Sequence, residues 1–114
     1  MVENNYNKYD DNIDEEFRVV LSGEGRITCL KSIEKRLIKS LYVYEQSEID
    51  CNYDYKAYVN SVLWFVCSAN ELLNGEVTSV VVHLNSIMKN DFDKKQFKKI
   101  ILECKNLVDY LLKG

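Results

Sequence analysis

Residues 70–85, NELLNGEVTSVVVHLN, decide the fold. The stretch holds one glycine, the chain's single histidine and a run of β-branched residues. Three readings compete for it: a hairpin turn into a strand, a corner between two helices, or the rim of an active site around His83. Asn-Gly is a strong hairpin signal, but only when alternating strands flank it. Here Tyr55, Val59, Val62, Leu63, Val66, Ala69 and Leu73 recur at helical spacing before the glycine, and Tyr58, Phe65 and Leu72 widen that stripe. After it, Val77, Val80, Val81, Leu84, Ile87 and Met88 keep the same period. Three consecutive valines, Val80 to Val82, weaken helix propensity by only tenths of a kcal/mol each. Periodicity decides the matter. Gly75 reads as the C′ glycine that ends one helix before a tight corner into the next.

Working outward, the same period marks the rest of the chain. Phe97, Ile100, Ile101, Cys104, Leu107, Val108, Leu111 and Leu112 form a clean stripe over 93–113. Asp93 is its N-cap, Gln96 completes a capping box, and Phe92 with Phe97 supplies the hydrophobic staple. Asn52 or Asp54 caps the helix over 54–74. Leu30, Ile33, Leu37, Leu41 and Tyr44 mark a helix over 28–46, with Lys31, Lys35, Arg36 and Lys39 mostly on its other sides. Its exit, QSEIDCNYD, has the polar composition of a loop. Ile13, Phe17, Val20 and Leu21 fit a short helix over 12–22 that stops at Gly23. The alternative is a β-hairpin over 16–30, with Phe17, Val19 and Leu21 on one strand and 26–30 returning beside it. The expected fold is all-α: a compact bundle of four to five helices at 12–22, 28–46, 54–74, 77–89 and 93–113. Residues 1–11 are expected as a flexible acidic arm and 12–114 as a single helical domain. The chain has no proline and four glycines in 114 residues, which suits long helices.

Composition excludes several classes of function. No apolar run approaches the roughly 20 residues that span a bilayer, and the polar start MVENNYNKYDDNIDEE is not expected to act as a signal peptide. A cytoplasmic protein without membrane contact is expected. Residues 1–16 hold six acids against Lys8, a local charge of −5, leaving +2 on the rest of a chain whose net charge is −3. Nucleic acid is therefore not the expected partner, because its binding needs concentrated positive charge. The lysines over 89–105 alternate with Asp91, Asp93 and Glu103, the pattern of a solvated helix surface. Cys29, Cys51, Cys67 and Cys104 contain no C-x-x-C pair, so reduced structural thiols are expected rather than a metal site. DDNIDE matches the first ligands of a calcium loop, but Glu15 stands where the bend requires glycine and Leu21 where a glutamate is needed. LSGEGR lacks the Lys-Ser/Thr ending of a phosphate loop. His83 has no serine elbow, second histidine or spaced cysteine around it, and no catalytic residue, cofactor or metal is assigned.

One residue resists this bland account. At 100° per residue Trp64 falls nearly opposite the stripe of its helix, beside Asn60, Ser68 and Glu71. Exposed tryptophans dominate binding hot spots, so Trp64 is the candidate anchor of a partner-binding site. The alternative is that it packs on the N-terminal element. Tyr42 and Val82 also lie off their stripes, and eight tyrosines are many for this length. Glu71 and Glu76 beside the corner, with Asp14, Glu15 and Glu16 in the arm, complete the candidate partner-binding set.

The C-terminal half, from SANELLNGEV to YLLKG, resembles small helical immunity-type proteins of bacterial polymorphic and contact-dependent toxin systems. Leu72, Leu73, Gly75, Glu76 and Val77 match their corner, and Leu84, Phe97, Glu103 and Gly114 match the segment that follows. The chain departs from them in lacking an arginine near His83 and a proline near Leu112. The resemblance implies a non-enzymatic inhibitor that neutralises a cognate toxin by stoichiometric binding, and the acidic residues would steer it onto a basic one. Two alternatives stand beside it. One is a viral helical modulator of host apoptosis or innate signalling that takes an amphipathic helix in a groove. The other is a self-associating structural or assembly adaptor, a homodimer through the Trp64 surface.

Overall fold

A computed structural model describes residues 25–113, which form four helices: α1 (Gly25–Ile49), α2 (Tyr55–Leu72), α3 (Thr78–Lys89) and α4 (Lys94–Lys113). There is no strand among the described residues. Each helix packs on its neighbour in sequence, and α1 also packs on α4, so the four close into a ring. Short connections make consecutive helices antiparallel. Cross-links show the same: Lys56 at the start of α2 reaches Asp91 beyond the end of α3 (2.8 Å), and Glu34 and Glu45 of α1 face Lys105 and Lys94 of α4 in reverse order.

The core inside the ring is drawn from all four helices. Leu30, Ile33 and Leu37 come from α1, and Tyr58, Val59, Val62, Phe65 and Val66 from α2. Val80, Leu84 and Ile87 come from α3, and Phe97, Ile101, Cys104 and Val108 from α4. At one end Tyr44 stacks on Phe97 with centroids 4.5 Å apart, and Tyr55 meets Phe97 edge-on at 5.3 Å. The all-α reading holds, with α2, α3 and α4 close to their expected limits. At α1 the structure differs. It begins three residues earlier and ends three later than 28–46, because without proline the polar QSEI adds another turn. Residues 26–30, weighed as a return strand, are its first turns. The expected 12–22 helix, residues 16–24 of the hairpin alternative and the 1–11 arm lie outside the described residues. Arg36, placed by sequence on the polar side, is buried. Its guanidinium sits 4.0 Å over the Phe65 ring and donates to the carbonyl and hydroxyl oxygens of Ser32.

Capping explains where α2 and α4 start. Asp54 accepts from the backbone N–H of Lys56 and Ala57 at 3.1 and 3.2 Å. Asp93 and Gln96 form the reciprocal capping box: the Gln96 N–H donates to Asp93 Oδ1 (2.8 Å) and the Asp93 N–H to Gln96 Oε1 (3.2 Å). The corner at 73–77 is more elaborate than a single glycine cap. Asn74 takes the C′ position in left-handed backbone (φ 55°), and Gly75 follows at φ 81°. The Gly75 N–H donates to the Asn70 carbonyl (2.9 Å) and the Asn74 N–H to the Glu71 carbonyl (3.4 Å), the Schellman pairing. The Asn70 side chain then crosses the corner. It accepts from the Val77 N–H at 2.9 Å and donates to Thr78 Oγ1 at 3.0 Å, and that hydroxyl donates to the Gly75 carbonyl at 2.9 Å.

Asn70→Ala is expected to cost about 1–2 kcal/mol, because it removes two side-chain hydrogen bonds of about 1 kcal/mol each. Gly75→Ala should cost about 1–2 kcal/mol for a left-handed alanine. A Cβ there meets only Thr78 Oγ1, at an ordinary 3.6 Å, so crowding adds nothing. Urea titrations check both through a lower midpoint at unchanged slope.

Candidate partner-binding face

With its core side filled, α2 turns Trp64 outward, and the residue is 62% exposed. Ser68 and Glu71 beside it are exposed and Asn60 is half-buried. On α3, whose Val80, Leu84 and Ile87 point to the core, Val82 is 60% exposed. Leu63, Cys67, Val81 and Met88 are half-buried. Around the helical wheels, Leu63 and Cys67 lie on the side of α2 nearest α3, and Val81 and Met88 on the side of α3 nearest α2. Burial pushes the Cys67 thiol up and Glu71 adds to this, so at neutral pH the side chain is an uncharged, weakly polar group.

Charge is distributed unevenly over the four helices. Helices α1 and α4 carry eight charged residues each, whereas α2 and α3 together carry three, Lys56, Glu71 and Lys89. All three sit at helix ends. Between Lys56 and Glu71, and again between Glu76 and Lys89, there is no Asp, Glu, Lys or Arg. The outer surface of the α2–α3 pair is thus apolar or neutral-polar along most of its length. Sequence reasoning found Trp64 and Val82 singly but missed this face. The signal was present as two long uncharged stretches, and only the pairing of α2 with α3 shows that they adjoin.

The other candidate residues divide. Glu76 is held by Arg26, whose Nε and second guanidinium nitrogen donate to its two oxygens at 2.9 and 2.8 Å. This fork ties the start of α1 to the α2–α3 corner, and its hydrogen bonds hold the Glu76 carboxyl below the usual glutamate range. Glu71 lies at the rim of the Trp64 face. Asp14, Glu15 and Glu16 lie outside the described residues. Arg26, missed from sequence, lay within a segment where a strand was still open.

Chemistry elsewhere is sparse. His83 Nδ1 lies 2.6 Å from the Ser79 carbonyl one turn back, so the imidazole is anchored to its own helix by donating there. The cysteines form no disulfide, and Cys104 is pushed up to about 12, chiefly by burial. No group of three His, Cys, Asp or Glu that could hold a metal ion occurs among the described residues. No described helix is long and apolar enough to cross a membrane. On the opposite side of the ring Lys105 bridges Asp109 (2.9 Å) and Glu34 (3.8 Å). A hydrogen bond to Asp109 pushes the Glu34 carboxyl up and holds Asp109 down. Nearby, Leu41, Tyr44 and Phe97 floor a cleft of about 120 Å³ rimmed by Glu45, Lys94 and Lys98. These groups clasp α1 to α4. No family model, curated protein or solved structure matches the chain.

Two outcomes follow from these placements. Trp64→Ala should change stability by less than about 1 kcal/mol, as exposed substitutions do, while Phe65→Ala next to it should lose about 3–5 kcal/mol; thermal denaturation of both variants checks the contrast. Glu76 has a folded pKa below its unfolded one, so its contribution is present above the unfolded value and lost as pH falls through the folded one. The stability gap between wild type and Glu76→Gln should therefore be widest at neutral pH and close below about pH 4. A gap that persists at pH 3 would show that Arg26 does not discriminate between the two.

Proposed function

We propose that this chain is a non-catalytic protein-binding module that inhibits a partner by covering it with the α2–α3 face, in the manner of an immunity protein neutralising a cognate toxin. The observation that carries the reading is the charge-free α2–α3 surface around an exposed tryptophan. Interface centres are depleted in charged residues and enriched in aromatic side chains, and their energy concentrates in a few anchors. Trp64 is the anchor, Val82 the exposed apolar side chain that α3 adds, and Asn60 and Ser68 the polar surround. Glu71 at the rim acts mainly on the rate of encounter with a basic partner, as rim charges do. Glu76 acts through Arg26 on the shape of the corner. Inhibition of this kind needs no reacting group, only a surface held in register and a partner whose working surface it occludes. The resemblance of the C-terminal half to immunity-type proteins supplies the toxin as the class of partner.

The test uses the full chain as bait in its native source, followed by calorimetry with the recovered partner. Wild type should retain one partner at defined stoichiometry and suppress its activity. Trp64→Ala should weaken the complex at least about tenfold, equivalent to 1.4 kcal/mol, with an unchanged melting temperature. A partner bound equally by Trp64→Ala, or bound without loss of its activity, would end this reading.

A further inference from the structure

The chemistry of the α2–α3 face also restricts what it fits. We infer that two copies of this chain pair through their α2–α3 faces about a two-fold axis, with Trp64 and Val82 within the contact; the inference rests on the protein-binding reading of that face, which the second copy covers until the inhibited partner displaces it. In a two-fold contact each surface meets itself, so like charges are brought together. The α4 surface, with Lys94, Lys95, Lys98 and Lys99 in its first two turns, opposes such pairing. The α2–α3 face carries no such penalty, because no Asp, Glu, Lys or Arg stands between Lys56 and Glu71 or between Glu76 and Lys89. Its polar residues are also of the self-complementary kind. The Asn60 and Asn85 amides and the Ser68 hydroxyl each both donate and accept, whereas a lysine only donates and a glutamate only accepts. A face whose polar groups are amides and hydroxyls can satisfy itself across a two-fold axis.

The few charges at the ends favour one orientation. Asn70 bonded to Thr78 puts Glu71 at the corner end of the pair, and Lys56 bridged to Asp91 puts Lys56 and Lys89 at the opposite end. A two-fold axis lying across the helices places the Glu71 end of one copy on the lysine end of its mate. Glu71 then meets, at each rim, an end where Lys56 stays paired with Asp91 and Lys89 leaves one positive charge over. The area is adequate for a reversible dimer. Residues 57–70 extend about 20 Å at 1.5 Å per residue, and two helices packed side by side present a similar width. That gives about 400 Å² per copy and about 800 Å² in total, in the range of weak, transient contacts. Association in the micromolar range is expected.

Trp64 is the only tryptophan, so its fluorescence reports directly on this face. Sedimentation of the full chain from about 1 to 300 μM should show a monomer–dimer equilibrium, with Trp64 emission shifting to the blue as the dimer fills. Trp64→Glu and Val82→Glu should each raise the dissociation constant more than about tenfold, with unchanged circular dichroism. Lys98→Glu on α4 should leave it intact. The wild-type emission shift stands by itself if a variant folds poorly. A wild type that stays monomeric over the whole range overturns the inference, as does a dimer that neither α2–α3 substitution weakens. The monomer result leaves the inhibitor reading to its own pull-down, where loss of binding by Trp64→Ala is scored separately.

Discussion

The fold turns on the hydrogen bonds of Asn70. Its carbonyl accepts from Gly75 and its side chain from Val77, while its amide donates to Thr78, so one residue ends α2, shapes the corner and starts α3. The left-handed backbone at Asn74 and Gly75 reverses the chain within five residues, 73–77. That reversal lays α3 antiparallel on α2 and carries Glu76 to the place where Arg26 forks onto it. Through that fork the corner also reaches α1. A looser connection would leave α3, the shortest of the four helices, without a fixed register against its neighbours. Twelve residues of helix are marginal in water, and α3 depends on the core side chains that the corner delivers.

Two kinds of contact divide the ring between them. Along α1–α4 the outer seam is electrostatic, with Lys105 against Asp109 and Glu34, and Lys94 facing Glu45 and Glu48 at 3.6 and 3.4 Å. These pairs are largely exposed, and pairs of that kind contribute little each. They specify which faces meet more than how strongly. Among the described residues the polar links between α2 and α3 lie at the two ends, Asn70 with its corner bonds and Lys56 with Asp91. Between them the two helices meet through apolar packing. A chain that needed only solubility would place lysine and glutamate there, as α1 and α4 do. The uncharged middle has no explanation in the stability of the ring, because Trp64 and Val82 point away from it.

What the sequence made legible follows from the range of the interactions concerned. Helix positions were readable because periodicity is local: the stripe from Tyr55 to Leu73 and the capping box at Asp93 and Gln96 involve residues within a turn of each other. The exposure of Trp64 was readable for the same reason. The length of α1 was underestimated because QSEI looks like a loop by composition and continues as a helix for want of a breaker. The cap at Gly75 was off by one, since asparagine also tolerates left-handed backbone and Asn74 takes the C′ site. Arg26 with Glu76, fifty residues apart, and the burial of Arg36 against Phe65 depend on which helices adjoin. No single-helix pattern contains that. The α2–α3 face was invisible for the same reason, although each half of it was plain in the letters.

The corner fixes the face before any partner arrives. Binding loses free energy whenever the surface must be ordered on contact, and a surface already held in place avoids that loss. The α2–α3 pair is pinned at one end by Asn70 and at the other by Lys56 with Asp91, and its inner sides are locked into the shared core by Val62, Val66, Leu84 and Ile87. Trp64 and Val82 therefore stand on a platform whose two helices cannot slide past each other. An aromatic anchor on such a platform adds its full contact area with few torsions to freeze. Within NELLNGEVTSVVVHLN the side chains that drew attention are each engaged in the local structure. His83 is bonded to its own helix, Glu76 is engaged by Arg26, and Gly75 with Asn70 fixes the angle at which an uncharged surface is presented.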